Sequence, residues 1–181
     1  LRLRTYILKS REVADRTIFL RDERKAFHGK PIVAPQSIHK LEEELSDLPP
    51  EAVLLEHDPF IVYAAKASQV PHVLLEIGRL REITFRAVGE GTGEANDLDK
   101  FDAFYWHLFI WNRKERDLVG AYRLGLTDEI MPEHGKSGLY TTTLFRIKTK
   151  VLKKLDPAIE LGRSFVVEKY QRKPVSLGLL W

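Results

Sequence analysis

The sequence predicts a mixed α/β fold, and three observations lead there. A long amphipathic helix sits between two pairs of strands, the second pair reads as an antiparallel hairpin, and an apolar strand near the end runs into a helix start. The 181 residues, 44% hydrophobic and 30% charged, suit one packed domain with a short appendage and exclude disordered and fibrous classes.

In chain order, Ile38, Leu41, Leu45 and Leu48 recur at helical spacing from Ser37 to Leu48, and Pro49-Pro50 stops that helix. Ala52 to Leu55 and Phe60 to Ala65 read as strands joined at His57-Asp58-Pro59. Val73 to Val88 is the strongest helix: Val73, Ile77, Leu80, Thr84, Ala87 and Val88 line one stripe, with Pro71 just ahead. Gly89-Glu90-Gly91-Thr92-Gly93 follows this helix and leads into Glu94, Asp97 and Asp99, so it is a helix exit and not a phosphate loop. Strands at Tyr105–Trp111 and Leu118–Leu124 flank a polar connection and form the hairpin. Thr127–His134 reads as one helical turn, Ile147–Leu155 as a short lysine-rich helix, and Ile159–Val167 as the apolar strand. Tyr170 to Lys173 is a polar turn, and Pro174 opens a helix over Val175–Trp181. The chain ends inside that apolar run, so the C-terminal part of the fold is expected to be missing.

Charge and composition narrow the function. No apolar run approaches the ~20 residues of a membrane span. The absence of cysteine removes disulfides and thiolate chemistry and fits a reducing compartment. A net charge of +3 is too mild for a nucleic-acid binder, and Phe101 to Trp111 carries no interleaved Lys or Arg, so no nucleic-acid partner is expected. Six histidines without HExxH spacing give no metal site, and no G-x-S-x-G elbow supports a serine nucleophile. The first thirty residues carry nine cations against four acids, which reads either as a solvated linker or as a basic arm for an anionic membrane.

Three places put charge where a soluble domain does not casually put it. Arg81 sits at the edge of the apolar stripe, whereas Glu82 and Arg86 read as an ordinary surface i, i+4 pair. Asp97 and Asp99 share a face if extended, either a solvated acidic loop or a seat for a cation. Glu160 and Arg163 interrupt the most apolar strand; a bulge at Gly162 puts both on one face, as an internal brace or as a site carboxylate with its cation. Beyond them, a strand end, Gln171-Arg172-Lys173 and the N–H groups of Val175 and Ser176 form a candidate anion site for a pyrophosphate or phosphopantetheine phosphate.

Leu80-Arg81-Glu82-Ile83-Thr84-Phe85, Asp97-Leu98-Asp99-Lys100-Phe101-Asp102, His107-Leu108, Val119-Gly120-Ala121-Tyr122-Arg123-Leu124 and Glu160-Leu161-Gly162-Arg163-Ser164-Phe165-Val166 occur in that order. This set, over roughly 70–181, resembles the GNAT-fold N-acyltransferases of the ornithine-lipid, hemolysin-like type, distant relatives of acyl-homoserine-lactone synthases. The resemblance implies an α/β GNAT-like acyltransferase fold, a mixed sheet with an antiparallel hairpin, over 35–181. Residues 1–34 are then a basic linker or the tail of an upstream domain, as in bacterial two-domain acyltransferases.

The implied reaction moves a long-chain acyl group from acyl-carrier protein or acyl-CoA to the α-amino group of an amino acid such as ornithine, giving an N-acyl amino-acid lipid precursor. Glu160 is the implied proton acceptor, and a strand N–H at Val166 or Val167 the oxyanion holder. Arg81, Phe85, Asp97, Asp99, Asp102, His107, Arg123 and Arg163 bind the acceptor or brace the pocket, although His107 alone reads as a core histidine. Gln171, Arg172, Val175 and Ser176 meet the donor's phosphates; lacking glycine, that turn implies weaker pyrophosphate binding and favours an acyl-carrier-protein thioester over acyl-CoA as donor, with no cofactor permanently bound. The protein is expected in the cytoplasm, with contact at the inner face of the membrane open to the basic arm. The alternative reading is a non-catalytic module docking acyl-carrier protein or membrane.

Overall fold

The computed structural model describes residues 29–155, 157–172 and 178–179. The expected basic segment 1–34 lies almost wholly outside them, as do Val175, Ser176 and most of the expected last helix. Where the description begins, the Lys30 N–H donates to the Gly93 carbonyl at 2.8 Å and the Val33 N–H to the Ala95 carbonyl at 3.0 Å. The packed unit therefore starts before residue 35.

Five strands form one sheet in chain order: β1 Val53–His57, β2 Phe60–Lys66, β3 Trp106–Asn112, β4 Asp117–Leu126 and β5 Ile159–Val166. Every neighbouring pair is antiparallel, so among the described residues the expected mixed sheet is an antiparallel meander. The fold is mixed α/β because helices pack on that sheet: α1 Ile38–Ser46, α2 Pro71–Ala87, α3 Thr127–His134, α4 Thr141–Leu144 and α5 Thr149–Leu155. The expected strands and the two long helices stand within three residues of their predicted ends. Helix α3 has the expected bounds, Thr127–His134, with Pro132 inside it, and α4 had no forecast.

The helices form for local reasons and stay for tertiary ones. Leu41 and Leu45, one turn apart, are the buried side of α1. From the same helix Glu44 accepts the backbone N–H groups of His72 at 2.8 Å and Val73 at 2.9 Å, capping α2, whose own N-cap, Val70, offers no side-chain acceptor. Helix α2 buries Val73 and Ile77 against Tyr63, Phe109, Ala121 and Phe165 on one face of the sheet, each such aliphatic side chain contributing about 1.5–3 kcal/mol. Gly89, at φ +79, ends the helix as expected. On the opposite face Val62, Leu108, Ile110 and Val119 pack with Tyr170. A third cluster, Phe101, Tyr105, Ile130, Leu139 and Leu152, lies under α3 and α5.

Two irregularities position the site. Ala121 pairs with Phe165 but Arg123 pairs with Gly162, so Arg163 and Ser164 together oppose Tyr122. The bulge falls one residue beyond Gly162, and Arg163 takes the left-handed backbone at φ +55, a conformation that costs a non-glycine residue roughly 1–2 kcal/mol. The second is Gly78 on α2. The Asp97 N–H donates to its carbonyl at 3.2 Å, and a Cβ built on Gly78 would stand 2.0 Å from Asn96 Oδ1. Only glycine lets the 96–98 loop lie on the helix.

Candidate active site

Three guanidiniums meet three carboxylates between α2, the 97–102 loop and the β4–β5 pair. Arg81 is 1% exposed. Its Nη1 and Nη2 grip the two oxygens of Asp102 at 3.2 and 3.0 Å, its Nε donates to Asp97 Oδ2 at 3.1 Å, and Nη2 also donates to the Asp97 carbonyl. Asp102 accepts the Asp99 N–H at 2.7 Å, and Asp99 the Phe101 N–H at 2.8 Å, so the acidic run folds into a tight loop rather than the extended strand assumed from alternation. Arg123, also 1% exposed, donates from Nη1 to Asp99 Oδ1 at 2.6 Å and lies 3.3 Å from Asp102 Oδ1. Arg163 completes the set, with Nη1 3.4 Å from Asp97 and Nη2 3.7 Å from Asp99.

The titration pattern follows from burial. Desolvation pushes the Asp97 carboxyl above its usual range, and Arg81 only partly offsets it. For Asp102 desolvation acts the same way, but the Arg81 fork and the Asp99 N–H outweigh it and hold the carboxyl low. His107 donates from Nε2 to the Asp102 carbonyl at 2.8 Å; burial lowers its pKa, which keeps the ring neutral and that tautomer in place. It supports the loop from behind, as a core histidine would.

Glu160 lies at the partly exposed end. It accepts the Tyr105 hydroxyl, the Tyr140 N–H at 3.0 Å on Oε2 and the Thr141 N–H on Oε1, so it holds the start of α4. Oε1 keeps one lone pair free of these donors. Burial, then the bond to Glu160, pushes the Tyr105 phenol far up, so it stays protonated and donates to Glu160 while its oxygen accepts the Tyr140 N–H at 2.9 Å. Gly125 makes room for the Tyr105 ring, because a Cβ there would lie 2.5 Å from Cε1. Above the network, the Tyr140 ring centroid is 4.9 Å from the Arg123 guanidinium and 5.6 Å from that of Arg163. Glu160 and Arg163 thus converge on Tyr140, as the expected bulge requires. Two donors in this layer are buried with no partner, Arg123 Nη2 and Arg163 Nε.

The structure brings together Arg81, Asp97, Asp99, Asp102, His107, Arg123 and Arg163, with Glu160 beside them. It does not bring in Phe85, which packs in the core between α2 and the sheet. Val167 cannot hold an oxyanion as expected, because its N–H donates to the Val119 carbonyl at 2.9 Å and continues the β4–β5 pairing. Gln171 and Arg172 are exposed; the Gln171 side-chain amide folds back onto the Val166 carbonyl at 2.8 Å, and Val175 and Ser176 lie outside the described residues. Glu82 is not a surface residue: it is 0% exposed and accepts the Thr92 hydroxyl and the Thr92 and Gly93 N–H groups while pairing with Arg86. The sequence reading missed Tyr105 and Tyr140 as partners of Glu160. An i, i+35 contact between aromatics has no local signal.

The chain, a meandering sheet with a long helix on one face and a charged network beside it, belongs to the acetyltransferase (GNAT) domain family, which it matches over residues 80–181. Among individual proteins, it is 42% identical over 146 residues to a glycine N(alpha)-acyltransferase of Phocaeicola vulgatus, covering 77% of this chain and 44% of that protein. It is 42% identical over 115 residues to a glycine N(alpha)-acyltransferase of Bacteroides thetaiotaomicron, covering 61% of this chain and 34% of that protein. The chain therefore spans less than half the length of these relatives. No solved structure matches it significantly. Neither relative's name mentions ornithine.

Proposed function

We propose that the protein is an N-acyltransferase that moves a long-chain acyl group from a thioester, on acyl-carrier protein or coenzyme A, to the α-amino group of a small amino acid, glycine first. The observation that carries the reading is the pair of buried, unengaged guanidinium donors, Arg123 Nη2 and Arg163 Nε, in an otherwise satisfied charge network whose Arg163 side chain is partly exposed. A buried donor without a partner is costly, and a carboxylate is the ligand whose two oxygens suit guanidinium groups. The acceptor's carboxylate then lies beside Tyr140, and its amine lies toward Glu160. The names of both relatives support glycine. Ornithine has less support, because the three aspartates that would seat its side-chain ammonium are engaged by Arg81, Arg123 and Arg163.

In the step, the ammonium gives one proton to Glu160 Oε1, directly or through a water. The freed lone pair attacks the thioester carbon, the C–N bond forms, the C–S bond breaks, and the second proton lost by the nitrogen passes to the departing thiolate. Products are the N-acyl amino acid and a free thiol. Arg81, Asp97, Asp102 and His107 position Arg123 and Arg163.

The test supplies the protein with long-chain acyl-carrier protein or acyl-CoA and a mixture of glycine, ornithine and other amino acids, and reads N-acyl products by mass spectrometry. N-acylglycine as the main product, with KM for glycine raised in Arg123→Met, supports the reading. N-acylornithine overturns the small-acceptor part. Carrier protein that binds without turnover moves the assignment to a docking module.

A further inference from the structure

Between Glu133 and Asp156 the chain has no acidic residue but six cations, Lys136, Arg146, Lys148, Lys150, Lys153 and Lys154. This local surplus exceeds the net charge of the whole chain, +3. Arg146, Lys148, Lys150 and Lys154 are exposed, and none has a side-chain hydrogen bond or ion pair among the described residues. Just before them stand Leu144 and Phe145, 61% and 64% exposed, and among them Val151 at 46%. Several surface cations elsewhere are paired, Arg113 with Glu56, Arg116 with Glu42 and Lys66 with Glu129, while Lys114 and Arg172 stand singly among the described residues. This segment lacks such partners.

Its placement is fixed from beneath. The N–H groups of Tyr140 and Thr141 are held by Glu160, Lys136 Nζ donates to the Ile147 carbonyl at 2.9 Å, and Leu152 of α5 packs into the cluster around Phe101 and Tyr105. With Leu152 inward, the neighbouring Lys150 and Val151 face solvent. The result is an ordered surface of projecting apolar side chains among unpaired cations, rooted on the carboxylate proposed to take the acceptor's proton.

We propose that this 144–154 surface seats the protein on an anionic phospholipid bilayer. Leu144 and Phe145 enter the acyl layer, and Arg146, Lys148, Lys150 and Lys154 meet the head-group phosphates. Two features favour lipid over an acidic protein. The apolar pair is more than half exposed, so it projects instead of lining a groove, and it needs a fluid phase or a matching hollow to bury it. Apolar and cationic side chains are interleaved along the chain, Leu144 and Phe145 just before Arg146 and Val151 between Lys150 and Lys154, as a tip inserted at the head-group level requires. The inference goes beyond the proposed reaction and does not depend on it. If both hold, an N-acylated product is released beside the phase in which its chain is soluble.

The experiment is vesicle flotation of the whole protein at low salt, with phosphatidylcholine alone or with about a third phosphatidylglycerol. The expected result is binding to the anionic vesicles only, weakened about five-fold for each cation removed among Arg146, Lys148, Lys150 and Lys154. Phe145→Ser should cut binding at least several-fold with thermal stability unchanged, since its side chain is already in water. Binding that survives Phe145→Ser and Lys148→Ser/Lys150→Ser, but is lost when Arg2, Arg4 and Lys9 are replaced, overturns the assignment in favour of the N-terminal residues. No flotation, together with binding of acyl-carrier protein that Lys148→Ser/Lys150→Ser abolishes, overturns it in favour of an acidic protein partner. Turnover is read separately, so loss of N-acyl transfer leaves the flotation result interpretable.

Discussion

Arg81→Met removes the centre of the charge network while keeping most of the side chain's apolar length. Arg81 and its partners Asp97 and Asp102 are each no more than 2% exposed, and Arg81 makes the bidentate contact with Asp102 and the 3.1 Å contact with Asp97. The substitution strands two carboxylates away from water with only Arg123, Arg163 and backbone N–H groups to answer them. Removing one partner of a buried pair typically costs about 3–5 kcal/mol. For a domain of this size that is a fall in Tm of about 6–20 °C.

The pH dependence gives the sharper test. In the wild type, Asp102 is held below its unfolded value, so its contribution is present above about pH 4 and is lost as pH falls through the lowered folded value. Without Arg81, desolvation dominates and both carboxyls rise above the unfolded value. They then destabilise the fold when ionised and cease to do so once protonated. The deficit of Arg81→Met should therefore be largest at pH 7–8 and shrink as pH approaches about 5. Urea unfolding followed by tryptophan fluorescence, with Trp111 in the core, reads both quantities. A deficit below about 1 kcal/mol, or one independent of pH, would refute the view that Arg81 neutralises buried carboxylates.

Three further outcomes follow from the same geometry. Glu160→Gln keeps the side chain's shape but removes the proton acceptor, so kcat should fall at least about a hundredfold while the circular dichroism spectrum is retained; full activity in a folded variant sinks the assignment. His107 is held neutral by burial, its folded pKa below the unfolded ~6.5, so wild-type stability should decline as pH drops below that value; His107→Gln should flatten this part of the profile while losing stability at pH 8, measured by urea titration at each pH. Gly78→Val places carbon where Asn96 Oδ1 and the Leu98 side chain now lie; lifting the loop should cost about 1–3 kcal/mol and raise amide exchange at Asp97, whereas unchanged stability would mean that the loop does not need this close approach.

Periodicity made α1, α2, the hairpin and β5 legible, because one face of each is apolar at the spacing of its own structure. The helix at Thr141–Leu144 was not legible: a Thr-Thr-Thr run has poor helix propensity, and its first N–H groups are held by Glu160, nineteen residues on. Glu82 was misread because an i, i+4 pair with Arg86 has the same pattern on a surface as under a loop; the loop that buries it, Thr92-Gly93, lies a helix end away. The Val167 N–H looked available because strand register is invisible in a single sequence. The charged set itself was found through family resemblance and the oddity of Glu160 and Arg163 in an apolar strand. What the sequence lacked was the partition of Arg81 to Asp97 and Asp102, of Arg123 to Asp99, and of Glu160 to the tyrosines.

Because the described strands lie in the sheet in the order of the chain, each new strand meets the one made just before it, and no strand must be threaded between two others. Closing such a sheet needs only neighbouring segments, which favours rapid assembly over a topology of distant pairings. The charge network is different in kind: it joins Arg81 to Asp102, Arg123 and, at the end of the meander, Arg163. The guanidiniums and carboxylates can then stay hydrated until β5 docks, and dehydration becomes a late event in folding. Lesions in the network should be felt as faster unfolding, with the refolding rate nearly unchanged. The domain would still form from such a variant, but its native state would be shorter-lived.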